Sequence, residues 1–343
     1  MKIKMMKLIQ ISIIVSLLFT SNVNSQLFFQ SESFWNEKEL LTVTMPDSIF
    51  IGMGIASVIT EDGDFFYADN SSSTIMHFNI NATFVKSFGR SGLGPGDIGD
   101  ISDMQIVGDF IYLLDYSNGV IQIFDPFKGV YINSIIMKDR LSILSRFRID
   151  ENNNSITVFG FKDDNRKLVH KYDIDGDYIE SQGEYIDFDK FMNNYSSRTQ
   201  LSQMHYAENR DKIILTLGAP YRQYCYEKNS GKLIWEFEDS IIPKPWIDHI
   251  IIRPDYYQSK AYPNTYYSFI DDKFIHVYWI DADNLKSYID SRSLTSGELV
   301  NRSEINFEMA PITFKTNTKG ELTVITKSRE NDNLYKIILN RNQ

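Results

Sequence analysis

Cysteine is almost missing from this sequence: Cys225 is the single one among 343 residues. One cysteine excludes an internal disulfide, so the core alone must hold the fold together. Hydrophobic residues make up 43% of the chain and aromatic residues 14%. A chain of this length and composition can bury a large core without covalent cross-links.

Positive charge is also scarce. Lysine and arginine number 35 against 45 aspartates and glutamates, which gives a formal net charge of −10. An acidic chain is a poor partner for the phosphate backbone of nucleic acids and for anionic lipid surfaces. Both classes of partner are therefore excluded from the expected function.

The apolar run at the N-terminus, Leu8 to Phe19, is too short for the roughly 20 residues that cross a bilayer. Three lysines precede it and small polar residues follow it, which is the pattern of a cleaved secretory signal peptide. We predict a signal peptide over residues 1–25, cleaved after Ser25, with no membrane insertion afterwards. The expected location is the periplasm, the cell surface or the medium.

Helical periodicity is not sustained anywhere in the remaining chain. Short runs rich in β-branched and aromatic residues recur instead, in units of four separated by turn residues, and the units repeat about every 45–60 residues. This pattern predicts an all-β fold, a six-bladed β-propeller with four-stranded antiparallel blades. The second runs of the six units begin at Phe65, Ile111, Ile156, Ile213, Phe274 and Leu322.

The sixth unit has three runs and ends at Leu339. The alternating segment from Leu41 to Met45 is predicted to supply its fourth strand, because closing the ring removes an exposed sheet edge. Residues 26–343 then form one propeller domain. The alternative, two β-sandwich domains, is disfavoured because the repeat continues through the whole chain.

The second unit carries the sharpest motif. Glycines and a proline at Gly92, Gly94, Pro95 and Gly96 precede the inner strand, and a strand ending in Asp115 follows. The segment then reads Asn118, Ile121, Phe124, Asp125 and Gly129, and the whole resembles an NHL-type propeller repeat. The chain is similar to the uncharacterised exported six-bladed propellers of Bacteroidota. The resemblance implies the same fold.

A candidate ligand-binding site lies on the face where the long blade-to-blade connectors are expected. The connector from Asp239 to Thr265 is long and rich in aromatic residues, which stack on sugar rings and apolar side chains, and arginine pairs with carboxylates. The alternative is that these aromatic residues pack the loop onto the propeller. The candidate residues are Arg90, Tyr221, Arg222, Trp246, His249, Arg253, Tyr256 and Tyr257.

No enzyme motif emerges from the spacing of the ionisable residues. The glycine-rich stretch Phe88 to Ile98 lacks the Lys-Ser/Thr pair of a phosphate-binding loop. One inner strand offers carboxylates, Asp100 and Asp103, too few for a hard-cation cage; the other inner strands offer Ala56, Arg146, Gln203, Ser268 and Thr313. We expect neither a metal nor a cofactor.

Five histidines fall on five different segments, and His205 and His249 alone are expected near the axis or the connector face. These observations favour a monomeric, non-catalytic binding or scaffold protein that holds a glycan, a peptide or an envelope protein. The alternative is a propeller lyase or hydrolase acting on a polysaccharide or a peptide. That alternative requires several ionisable groups that meet at the axis.

Overall fold

The computed structural model describes residues 34–52, 54–139, 143–151, 153–161, 167, 169–182, 205–217, 222–238, 265–281, 286–305, 310–316, 320–327 and 333–341. These residues form six four-stranded antiparallel sheets and contain no helix. The structure confirms the predicted six-bladed β-propeller. The predicted signal peptide lies outside the described residues.

The strands follow one another from the axis outward in five of the six blades. Blade 1 contains β2 (Gly54–Ile59), β3 (Phe65–Asp69), β4 (Thr74–Phe78) and β5 (Phe84–Phe88); blade 2 contains β8 (Ile101–Val107), β9 (Phe110–Asp115), β10 (Val120–Asp125) and β11 (Val130–Ile136). Blade 3 contains β12 (Ile143–Asp150), β13 (Ser155–Phe161), β14 (Val169–Asp173) and β15 (Tyr178–Gln182). The short strands β6 (Arg90–Ser91) and β7 (Asp97–Ile98) pair in parallel between blades 1 and 2.

The second half of the chain repeats this arrangement. Blade 4 contains β16 (His205–Glu208), β17 (Lys212–Leu217), β18 (Arg222–Glu227) and β19 (Leu233–Glu238); blade 5 contains β20 (Thr265–Ile270), β21 (Phe274–Asp281), β22 (Lys286–Ser293) and β23 (Leu299–Ile305). Blade 6 combines both ends of the described chain, in the order β24 (Ala310–Thr316), β25 (Leu322–Lys327), β26 (Leu334–Arg341) and β1 (Trp35–Thr42).

The hydrophobic core lies between neighbouring blades. Second strands are the most buried: every residue of β3 is buried, because a central strand packs against other blades on both faces. Between blades 1 and 2, Phe66 packs with Met104 and Leu113. Between blades 2 and 3, Leu114 packs with Phe147. The ring is thus held by apolar contacts that each blade makes with the next.

The N-terminal strand closes the ring as predicted, but its predicted bounds were wrong. The closing strand is Trp35–Thr42, which pairs antiparallel with β26 from Trp35 opposite Arg341 to Thr42 opposite Tyr335. Thr44, which was placed in that strand, forms a parallel bridge with Thr83 of blade 1 instead. The difference arises because the true strand is an outer one, exposed along most of its length and rich in charges.

A row of lysines crosses the seam where blade 6 meets blade 1. Each of the three strands that follow one another in blade 6 sends one ammonium group to backbone carbonyls of blade 1. The bonds run from Lys315 to Ile59 at 3.0 Å, from Lys327 to Gly52 at 2.7 Å, and from Lys336 to Gly63 at 2.7 Å. Charged donors strengthen these hydrogen bonds at the closure point.

Two buried aspartates fix the paths by which the chain enters blades 1 and 2. Asp69 accepts a hydrogen bond from Gly52 N at 2.7 Å, and Asp115 accepts one from Gly99 N at 2.8 Å. Both aspartates end a second strand, so the incoming connectors and the loops between second and third strands share one face. We call it the connector face. Asp115 belongs to the motif that resembles the NHL repeat, and its role here is structural.

The glycine-rich stretch from Phe88 to Ile98 is a connector on this face. Gly96 adopts a φ of +78°, which favours glycine, and a Cβ there would lie 2.8 Å from Tyr131 Cβ. Its glycines therefore serve backbone geometry and packing against blade 2. This agrees with the sequence interpretation that the stretch is not a phosphate-binding loop.

Candidate functional site

The inner strands of all six blades line an axial cavity of about 210 Å³. This volume corresponds to about seven water molecules, at roughly 30 Å³ for each. The cavity therefore suits a small molecule. Its polar lining includes Ser57, Asp103, Arg146, Arg148, His205, Ser268 and Lys315.

Bulges position the lining side chains. In β8 the pairing with β9 shifts between Ile101 and Asp103, and in β12 the pairing with β13 shifts between Leu144 and Arg146. A bulge leaves one residue unpaired and re-aims those that follow. Inner strands β2, β20 and β24 carry the same irregularity near their connector ends.

Asp103 links the inner strands of blades 2 and 3. Its carboxylate accepts a hydrogen bond from Phe147 N at 3.1 Å and lies 3.3 Å from Arg146 Nη1. Arg148 Nη1 is 3.6 Å from the second carboxylate oxygen. Asp103 is 7% exposed, and burying its negative charge is unfavourable by itself. The positive charges of the two arginines offset that cost.

The two arginines are held in fixed positions by further contacts. Arg146 Nη1 donates to the carbonyl of Ser102 at 3.2 Å, and Arg148 Nη1 donates to the carbonyl of Phe147 at 2.7 Å. The Arg148 guanidinium also lies 5.4 Å from the centre of the Tyr206 ring, within the range of a cation–π contact. Both charged groups are thus ordered at the wall of the cavity.

Two hydroxyl groups in the wall have no protein partner among the described residues. Ser57 is 6% exposed and Ser268 is 2% exposed, and neither Oγ forms a hydrogen bond with the protein. They come from blades 1 and 5, whereas the arginines come from blade 3. Both oxygens are also shielded from solvent, so in this conformation a ligand in the cavity does not reach them.

The cavity carries an excess of positive charge inside an acidic protein. Among its described lining residues Arg146, Arg148 and Lys315 are cationic and Asp103 is anionic. Glu61 pairs with Lys315 from the rim, where its side chain is 79% exposed. One positive charge remains in excess after that pair is counted.

The structure places most of the predicted axial residues together. Ala56, Asp103, Arg146, Ser268 and Thr313 all line the cavity, whereas Asp100 precedes β8 and is not part of the lining. His205 lines it too, in agreement with the prediction for this histidine; Gln203 and His249 lie outside the described residues. Sequence reasoning used this set to argue against a metal site and missed Arg148, Lys315 and Ser57.

The predicted connector-face site is only partly covered by the structure. Arg90 is exposed and forms an ion pair with Asp97 at 2.6 Å, and Arg222 begins β18; neither lines the axial cavity. The connector-face site stays a prediction, because its remaining members lie outside the described residues. They are Tyr221, Trp246, His249, Arg253, Tyr256 and Tyr257.

Three histidines lie within blades and are hydrogen-bonded there. His77 Nε2 is 2.8 Å from Asp64, and His170 Nδ1 is 2.7 Å from Ser181 Oγ. His276 is fully buried in blade 5. These observations confirm the expectation that strand histidines away from the axis are packing residues.

His276 forms a hydrogen-bonded chain that the spacing in the sequence did not single out. Ser291 Oγ donates to His276 Nδ1 at 2.8 Å, and His276 Nε2 donates to Asp271 at 3.0 Å. The order resembles that of a serine hydrolase triad. Ser291 is completely buried and is not part of the axial cavity, so among the described residues nothing opens a path from the cavity to its hydroxyl.

Within the described ranges, no group of three or more His, Cys, Asp or Glu side chains is arranged to hold a metal ion. Nor does that part of the chain contain a helix with the length and apolar character of a membrane span.

Solved structures with the same fold are numerous and distant in sequence. A "Putative exported protein" from Bacteroides fragilis matches with a TM-score of 0.59 and 12% identity, over 92% of this chain and 98% of that one. A luciferin-regenerating enzyme matches at a TM-score of 0.49 with 10% identity, over 84% and 92% of the two chains. Streptogramin B lyase also matches at 0.49, with 8% identity, over 84% and 79%.

The similarity to the Bacteroides fragilis protein agrees with the observed fold and transfers no activity. No family model matches the sequence, and a search of curated protein sequences finds no significant match. The six-bladed propeller is thus shown, and the NHL-type resemblance stays a prediction.

Proposed function

We propose that the protein is a binding propeller that takes a small polar molecule in its axial cavity. The observation that carries the proposal is the pair of ordered guanidinium groups, Arg146 and Arg148, which β12 places in the cavity wall. Ligand sites are typically concave and largely pre-formed, and a small number of polar groups converge on them. Here polar groups from separate blades line a cavity of about 210 Å³.

The cavity walls are rigid, which supports binding without a large conformational change. Asp103 and Gln105 of blade 2 both contact the backbone of blade 3, and the Phe159 and Tyr206 rings stack between blades 3 and 4. A pre-organised site loses less conformational entropy when a ligand binds, because its side chains are already ordered.

The test is a thermal-shift and calorimetric screen against neutral monosaccharides, uronic acids and free amino acids. We expect at least one compound to raise the Tm of the wild type. The variant Val58→Phe adds volume at a half-buried lining position and should abolish that shift. Val85→Phe, at an exposed valine on β5, is the matched control and should retain it.

Overpacking can destabilise a core by about 1–3 kcal/mol, so the smaller change Val58→Leu provides a second readout. It adds one methylene group at the same position and should weaken binding of the same compound. Equal binding by wild type and by both Val58 variants would refute the cavity as the site.

A lyase or hydrolase is the second candidate function, and the observation that favours it is His205 in the cavity wall. Histidine is the side chain whose ordinary pKa best suits proton transfer near neutral pH. Mass spectrometry of each bound compound after long incubation separates the two functions. Chemical change that is lost in His205→Gln would identify an enzyme, and unchanged compound would favour binding alone.

Export belongs to the same proposal. It is supported by the three lysines and the apolar run at the N-terminus, and by the similarity to a protein named as a putative exported protein. Mass spectrometry of the protein from its native host should show a mature N-terminus at Gln26. A full-length protein beginning at Met1 would contradict export by this route.

A further inference from the structure

We propose that the axial cavity selects a small monocarboxylate, and that Arg146 and Arg148 bind its carboxylate. This inference rests on the proposed function, because it names the class of ligand for the same cavity. It follows from the charge, the free donors and the size of the site.

Charge is the first argument. The whole chain has a formal net charge of −10, yet the cavity keeps one positive charge in excess after Asp103 and Glu61 are counted. The side chains of Arg146 and Arg148 remain 17% and 28% exposed, so an anion that enters the cavity can reach them. A monoanion balances this excess, whereas a phosphate, which carries more than one charge near neutral pH, would overcompensate it beside the Asp103 carboxylate.

The free donors are the second argument. A guanidinium group has five N–H donors. In the contacts with described residues, Arg146 and Arg148 both use Nη1 alone. Their Nε and Nη2 groups therefore retain donors, and the planar fork of such donors matches the two oxygens of a carboxylate.

The position of the arginines adds to this argument. They lie two residues apart on one strand, β12, so both side chains are on the same side of it. Asp103 and Tyr206 flank them from the neighbouring blades and hold the two guanidinium groups in place. A carboxylate between them would meet ordered donors and not flexible surface chains.

The size defines the rest of the ligand. A volume of about 210 Å³ holds one sugar ring or one amino acid together with its carboxylate. Uronic acids and amino acids share this chemistry, and the experiment separates them.

Isothermal titration calorimetry with pure probes tests the proposal. The probes are D-glucuronate, D-galacturonate and L-glutamate, with D-glucose and D-galactose as neutral counterparts of the two uronates, and inorganic phosphate as a free anion. We expect one carboxylate probe to bind at least tenfold more tightly than the neutral sugars and than phosphate, and more weakly as NaCl increases. A uronate preferred over glutamate identifies a sugar acid, and the reverse identifies an amino acid.

Variants assign the carboxylate to the arginines. Arg148→Gln should weaken the preferred carboxylate at least tenfold, and Arg148→Lys, which keeps the charge but not the fork, should give an intermediate affinity. Lys128→Gln removes one positive charge from an exposed turn and should leave binding unchanged. Circular dichroism and Tm measurements on each variant show whether the fold is retained.

The outcomes separate this inference from the proposed function. Equal binding of glucose and glucuronate, or unaltered affinity in a folded Arg148→Gln, would overturn the carboxylate assignment and leave a cavity that binds polar molecules. Tighter binding of phosphate than of every carboxylate would overturn it as well. Binding by none of the probes and none of the wider screen would overturn both proposals.

Discussion

Lys336 Nζ donates a hydrogen bond to the carbonyl of Gly63 at 2.7 Å and so joins the last blade to the first. The same ammonium group donates to the carbonyl of Ile80 at 2.8 Å. Lys336 is 2% exposed, and burial lowers the pKa of its ammonium group from the ordinary value. A charged group is retained at this seam because two backbone acceptors compensate its burial.

Replacing this lysine tests the seam. Lys336→Met keeps most of the aliphatic volume but leaves both carbonyls without their donor, so we expect a loss of about 1–2 kcal/mol in the free energy of unfolding. Urea denaturation measures it. Lys38→Met removes an exposed lysine that pairs with Glu321 and should cost less than about 1 kcal/mol. Similar losses in the two variants would argue against a special role for Lys336.

Trp35 anchors the N-terminal strand between blades 5 and 6. It is 2% exposed and packs edge to face with Phe269, whose ring centre is 6.2 Å away. Trp35→Ala should cost about 3–5 kcal/mol, the range for a large buried aromatic residue. Leu40→Ala, on the same strand but 46% exposed, should cost much less. Chemical denaturation of both variants decides whether closure depends on this residue.

Asp115 should be among the most sensitive polar residues of blade 2. It is completely buried and accepts hydrogen bonds from Gly99 N, from both nitrogens of Asn118 and from Gln122 Nε2. Asp115→Ala leaves several donors unsatisfied, and we expect a loss above about 3 kcal/mol.

The control for Asp115 is the exposed turn residue Asp109, where substitution by alanine should change stability by less than about 0.5 kcal/mol. Asp115→Asn keeps part of the acceptor capacity and should fall between these values. If Asp115→Asn were as stable as the wild type, the carboxylate charge would not matter.

His276 of blade 5 should make the stability of the fold depend on pH. Burial lowers the pKa of His276, against the opposing effect of its hydrogen bond to Asp271. The unfolded chain therefore binds this proton more readily, and stability should fall as the pH drops below about 6.5.

Asp271 extends the same trend to lower pH. Burial by itself would raise the pKa of its carboxyl group, but hydrogen bonds from His276 and from the backbone of Lys273 and Phe274 outweigh it and hold the pKa below its usual range. Its stabilising contribution is present above about pH 3.9 and is lost below that pH.

Urea denaturation at pH 7.5, 6.5, 5.5, 4.5, 3.5 and 2.5 checks both trends. His276→Gln should be less stable than the wild type at pH 7.5 but should lose less stability between pH 7.5 and 5.5. An unchanged slope in that variant would show that another group is responsible.

The sequence was sufficient for the fold, because inner, second, third and outer strands alternate with turn residues that recur at each blade. It was less informative for the closing strand. Trp35–Thr42 is an outer strand with one face and one edge in solvent, so its charges hide the alternation that identifies a strand. The more apolar segment after it looked like the better candidate.

The site shows a different limit. Asp103 and Arg146 were correctly placed at the axis, yet Ser57, Arg148 and Lys315 were overlooked. Bulges in the inner strands shift the pairing by one residue, and a shift of one changes which side chains face the axis. Bulges have no reliable sequence signal, so the cationic character of the cavity became visible only in three dimensions.

The pairing of β1 with β26 has a consequence for how the protein is made. Because the two strands lie about 300 residues apart in sequence, their contact has high contact order and forms late in folding. A nascent or truncated chain without its last ten residues cannot complete blade 6, and it leaves the edge of β1 exposed. Synthesis must therefore reach β26 before the ring can close. Shortened chains are the forms that we expect proteases to remove first.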